Sequence, residues 1–163
     1  MSSGSGLAFL LAIGLYLEVV LLAHMPQAHW VPHIPLILLV FMSLKRGSTS
    51  GFYLGLCLGI MMSSIADGPW ILFIAIYALI GFFSGCLKDI VSIDSPLSQW
   101  VVPAIAYIIL QLVQYLCIFP YISEMGWYGF VLSIQTSAIV STTIISPMIY
   151  LVFKRIYGST TPA

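Results

Sequence analysis

Charge is scarce in this chain: five Lys or Arg and five Asp or Glu among 163 residues, 6% in all, against 61% apolar residues. A soluble domain carries about 25% charged residues and 45–50% apolar ones. One soluble core cannot bury that excess, so a soluble globular class is excluded and a single integral membrane domain over residues 1–163 is expected. The formal net charge is zero, with no basic patch and no acidic run; nucleic acid is not an expected partner. Cysteine is equally sparse. Cys57, Cys86 and Cys117 each lie inside an apolar run without metal or redox spacing, and are expected to be buried and inert. Catalytic signatures are lacking too: no phosphate-binding G-x-x-x-x-G-K-[ST], no dinucleotide fingerprint, no H-E-x-x-H, and no G-x-S-x-G. Asp67 and Asp89 fall on opposite sides of the expected membrane and cannot form a carboxylate pair. Glu18 alone, without an intramembrane Lys, Arg or His, is thin for a proton relay. The expectation is a protein that is not an enzyme and holds no cofactor.

What is present is a glycine helix. The stretch 51–63 reads GFYLGLCLGIMMS, with Gly51, Gly55, Gly59 and Ser63 four residues apart. That spacing places all four on one helical face. In lipid, a face without side-chain bulk lets another helix approach to backbone contact. This helix is read as the centre of a small bundle, and Gly81 and Gly85 form a second small pair. These residues are the candidate packing or partner-binding positions, together with Glu18. A mid-span carboxylate costs on the order of 3 kcal/mol to insert. Glu18 therefore either orders the bundle as a buried polar contact or stays neutral or near the interface.

Taken in order, the apolar runs predict six spans, at about 7–25, 28–44, 51–66, 70–87, 100–119 and 128–152. The first reads as a retained span, since no Lys or Arg and no cleavage site accompany it. The stretch 26–35, PQAHWVPHIP, is no helix interior. His24, His29 and His33 cluster there without a carboxylate or Cys ligand nearby, and read as interface histidines, not a metal site. The apolar run 35–44 is only about 15 Å of helix, too short to span alone. Irregular backbone at that depth has to be covered by protein. Trp100 opens the fifth span, which holds Gln111 and Gln114; Pro147 breaks the sixth. Counting sides alternately, Lys45/Arg46, Lys88 and Lys154/Arg155 all fall on one face, which the positive-inside rule makes cytoplasmic, with both termini.

The order of these features resembles the rod shape-determining membrane protein MreD family, over about 32–155. The carrying motifs are Pro35-LILLVFMSL-Lys45-Arg46-Gly47, the glycines 51, 55 and 59, Gly81-Phe82-Phe83-Ser84-Gly85, the loop Lys88 to Leu97, and Pro147 before Lys154/Arg155. The family often carries Asp where this chain has Ser63; here the acid comes at Asp67. The resemblance implies a non-enzymatic inner-membrane scaffold of the bacterial cell-wall elongation complex. It would bind the single-span partner MreC and through it connect to MreB, RodA and a penicillin-binding transpeptidase, with membrane lipid around it. The rival expectation is the substrate-binding subunit of an energy-coupling vitamin transporter, a six-span bundle to which MreD-like proteins are similar in fold. Ala8 and Ala12 have the small-residue spacing such subunits use for docking. The polar groups counted for a vitamin site are few: Glu18, Gln111, Gln114 and Gln135.

Overall fold

The computed structural model describes residues 13, 14, 16, 20, 32–64, 70–92, 94–118 and 136–157, and these are all-helical, without strands. Helix α1 spans Ile34–Arg46, α2 Ser48–Ser63, α3 Trp70–Cys86, α4 Val102–Ile118 and α5 Thr136–Tyr157. A 3-10 turn at Leu87–Asp89 and a π turn at Leu97–Val101 bracket the α3–α4 loop. Two stretches, Trp70–Asp89 and Ala138–Arg155, are long and apolar enough to cross a membrane.

Local sequence explains the ends of α1. Pro35 sits in the first turn, where its missing N–H is not needed and its fixed φ suits a helix. Lys45 and Arg46 occupy the last turn, against the negative end of the helix dipole. Gly47 alone joins α1 to α2, at φ +94°, a conformation that side-chain-bearing residues avoid.

The centre of the bundle is α1, not the glycine helix. Every residue from Pro35 to Leu44 is buried. A helix that is apolar all round has no face to offer water, and at 13 residues, roughly 20 Å, it is too short to cross lipid unaided. Neighbours therefore surround it. Even Gly14, in the first apolar run, lies against it: a Cβ there would sit 2.8 Å from Leu38 Cδ1 and 3.3 Å from Ile34 Cγ2. By contrast, α2 packs one face inward and leaves Tyr53 and Ile60 more than half exposed on the other. Cys57 and Cys86 are exposed as well, which corrects their expected burial: with small residues turned inward, the bulkier ones and these cysteines face out.

Residue pairings give the helix directions. Between α2 and α3, Gly51 meets Gly81, Gly55 meets Tyr77 and Ala78, Gly59 meets Phe73 and Ile74, and Gly85 meets Gly47 and Ser48. The paired numbers always sum to 132 or 133, so the two helices are antiparallel and in constant register. Between α1 and α5, His33 contacts Thr142, Phe41 contacts Tyr150 and Lys45 lies over Phe153, at offsets of 109, 109 and 108. These two run parallel. His33 beside Tyr77 and Leu39 beside Gly81 make α1 and α3 parallel too. Helices α1, α3 and α5 thus end together. All five Lys and Arg of the chain, Lys45, Arg46, Lys88, Lys154 and Arg155, lie at or one turn beyond those ends.

One further expectation needs correcting. Pro147 does not break the last helix; α5 is continuous through it. Thr143 Oγ1 donates to the Ile139 carbonyl at 2.7 Å one turn before the proline, and prolines are tolerated inside helices in lipid. Trp100 lies in the π turn, which leads without a break into α4 at Val102.

Candidate functional site

The glycine seam is consumed inside the molecule. A Cβ on Gly59 would stand 2.5 Å from Ile74 Cα, and one on Gly85 2.5 Å from Ser48 Cα. Cβ atoms on Gly51, Gly55 and Gly81 would overlap the backbone carbonyls of Gly81, Tyr77 and Gly51. Helices α2 and α3 therefore touch backbone to backbone, the geometry of small-residue packing in membranes. The predicted residues Gly51, Gly55, Gly59, Gly81 and Gly85 come together in this one seam. Ser63 sits at the end of α2, with its hydroxyl donating to the Ile60 carbonyl at 2.7 Å. At the other end the seam reaches Gly47 and Ser48, which the four-residue series starting at Gly51 did not include. Glu18, His24, His29, Asp67, Glu124, Gln135 and the Ala8/Ala12 pair lie outside the described residues.

A polar cluster gathers where α1 begins. The ring of His33 places Nε2 2.7 Å from the Tyr77 hydroxyl, with the donor set by the tautomer. The His33 backbone N–H donates to Thr142 Oγ1 at 3.2 Å. The same ring packs edge-on against Tyr77 and Tyr107, each at 6.0 Å between centroids. Gln111 Nε2 donates to the Tyr107 hydroxyl at 2.7 Å. Four helices thus converge on one half-buried histidine. Of this set only His33 and Gln111 stood out in the sequence. Thr142 lies 109 residues from His33, and no local pattern announces such a contact.

At the opposite end, Asp94 ties the α3–α4 loop to α5. Its Oδ1 accepts from Lys154 Nζ at 2.7 Å and from the Tyr150 hydroxyl. The hydrogen bond from Lys154, then that from Tyr150, holds its carboxyl below the ordinary range of about 3.8. Lys154 also lies 6.0 Å from the Tyr150 ring centroid. Among the described residues no group of three His, Cys, Asp or Glu side chains is placed to hold a metal ion.

The described residues thus define an all-helical protein with two helices capable of crossing a membrane, closed by a glycine seam and carrying its cations at one end. No family model, curated protein or solved structure matches the chain.

Proposed function

We propose that the protein is a six-span integral membrane bundle of the bacterial inner membrane with both termini cytoplasmic. In this reading it is a non-enzymatic scaffold subunit of the cell-wall elongation complex, involved in cell shape. It binds an MreC-like single-span partner and through it engages MreB, RodA and a penicillin-binding transpeptidase. The observation that supports the membrane part is the shared end of α1, α3 and α5. Parallel helices separated by antiparallel ones bring every Lys and Arg to one pole, the disposition the positive-inside rule requires of cytoplasmic loops. The scaffold part rests on the resemblance to the MreD family in the order of its motifs. The helix-packing character of the seam is compatible with it. Purification of the tagged protein from native membranes tests the reading: a single-span coiled-coil partner should co-purify. Recovery of paired ATPases with a long coupling subunit instead would replace it.

One observation favours the second reading, a vitamin-binding transporter subunit. His33, Tyr77, Tyr107, Gln111 and Thr142 add polar groups at the pole away from the cations, where an external solute would enter. Mass spectrometry of the purified protein for a bound vitamin separates the two.

A further inference from the structure

Between α3 and α4 runs a groove of about 310 Å³. Ile76, Phe83 and Leu87 form one wall, Val102, Ile109 and Val113 the other. Of its eleven lining residues only Ser84 carries a polar side chain. Leu87 and Val102 mark its mouth at the cationic pole, and Ile76 its far end. Eleven residues of helix separate Leu87 from Ile76, about 16 Å, half of a hydrocarbon core of about 30 Å.

We propose that this groove holds one acyl chain of an anionic phospholipid from the leaflet at the cationic pole. The occupant follows from two matches. The groove is as long as one leaflet is deep, and it opens where the charge suits an acidic headgroup. Among the described residues five cations stand at that pole against two acids, Asp89 and Asp94, and Asp94 is engaged by Lys154. Lys88 follows Leu87 in the chain, with its side chain passing Gly47 at the α1–α2 turn. Near a membrane surface each such cation attracts acidic lipid. Phospholipid binding of this kind rests on the membrane-spanning part of the reading above, not on the cell-wall role.

The test uses the full-length protein in a delipidating detergent, with phosphatidylglycerol or phosphatidylcholine added back and bound lipid counted by native mass spectrometry. One phosphatidylglycerol should be retained, with about a fivefold preference lost in Lys88→Gln, the share of one near-surface cation. Ile109→Trp, which fills the groove from a position 45% exposed, should abolish retention. A photoreactive residue at Phe83 should crosslink to lipid acyl chains more strongly than one at Tyr53, which is as exposed but lies on α2, away from the groove. Equal retention in Ile109→Trp, equal crosslinking at both positions, no preference for the anionic lipid, or crosslinking of Phe83 to a protein helix instead would each overturn the proposal. Release of the protein from membranes by alkaline carbonate would overturn the membrane reading and this inference together. A carbonate-resistant protein without the lipid pattern would overturn this inference alone.

Discussion

Gly55→Ala is the sharpest probe of the seam, because two effects of opposite sign meet there. Replacing an exposed helical glycine with alanine stabilises a helix by roughly 0.5–1 kcal/mol, through the smaller entropy lost on folding. At Gly55 the new methyl carbon would lie 2.7 Å from Ala78 Cα and overlap the Tyr77 carbonyl. Restoring contact at about 3.8 Å requires α2 and α3 to part by roughly 1 Å. The register is rigid, so the parting is felt along the whole line from Gly85 to Gly59. A gap of 0.5–1 Å forfeits a quarter to a half of each dispersion well, and wells are about 0.1–0.2 kcal/mol per atom pair. Over a few dozen pairs the loss is roughly 2–3 kcal/mol, within the usual overpacking cost. The net expectation is destabilisation by about 1–2 kcal/mol, a fall of roughly 2–8 °C in melting temperature for a chain of this size. Thermal unfolding in detergent, followed by helical circular dichroism, measures it. Cys57→Ala, on the exposed face of α2, is the control and should change little. A Gly55→Ala protein that melts at or above the parent temperature would refute the seam, since the propensity gain would then be acting unopposed.

At the polar end, Tyr77→Phe removes the hydroxyl that meets His33 Nε2 and should cost about 0.5–1.5 kcal/mol by the same unfolding assay. At the cationic pole, the linkage sign follows from the depressed Asp94 carboxyl. Its contribution is present above the unfolded value near 3.8 and is lost as pH falls through the lower folded value. Asp94→Asn should therefore lower the melting temperature at pH 7 by the equivalent of less than about 1 kcal/mol, as for an exposed pair. The difference from the parent should close below pH 3.8, and a difference independent of pH would show that Asp94 does not act through its charge. In a chain freed of its own cysteines, single cysteines at Lys45, Lys88 and Arg155 should label from the same side of the membrane, and one at Trp70 from the other. Lys45 and Lys88 labelling from opposite sides would end the six-span arrangement.

Helix content and the gathering of the cations at one pole were legible from the chain because each depends on local composition: apolar runs, Gly47, and basic residues at run ends. The seam was half legible. Four-residue spacing marked Gly51, Gly55 and Gly59, and a separate spacing marked Gly81 and Gly85, but nothing in either told that the two would face each other antiparallel. Nor could spacing show that the series extends back to Ser48, which has a side chain and entered only by register. The centre was misplaced for a physical reason. A glycine ridge advertises one close neighbour, whereas a run apolar on all sides, such as 35–44, advertises burial on every side. Its brevity obscured that, because length is the signal by which a span is read. Asp94 with Tyr150, and His33 with Thr142, join residues 56 and 109 apart, where side-chain pairing follows from the fold alone.

The shortness of α1 also accounts for the polar cluster at its start. Tyr77 lies seven residues inside α3 and Thr142 six inside α5, so His33 sits about 10 Å below the ends of its neighbours. A helix that begins at such a depth exposes N–H groups where lipid offers no acceptor, and each one left bare costs several kcal/mol. Several of the donors at this start have an answer. Pro35 has no N–H, the Ile34 N–H reaches the Pro32 carbonyl at 3.0 Å, and that of His33 reaches Thr142. The His33 ring then needs a polar neighbour of its own, and Tyr77 supplies it. On this argument the cluster is the cap of a buried half-length helix, formed whether or not any solute binds. Three of the polar groups counted for a transporter subunit, His33, Tyr77 and Thr142, are thereby accounted for by the start of α1.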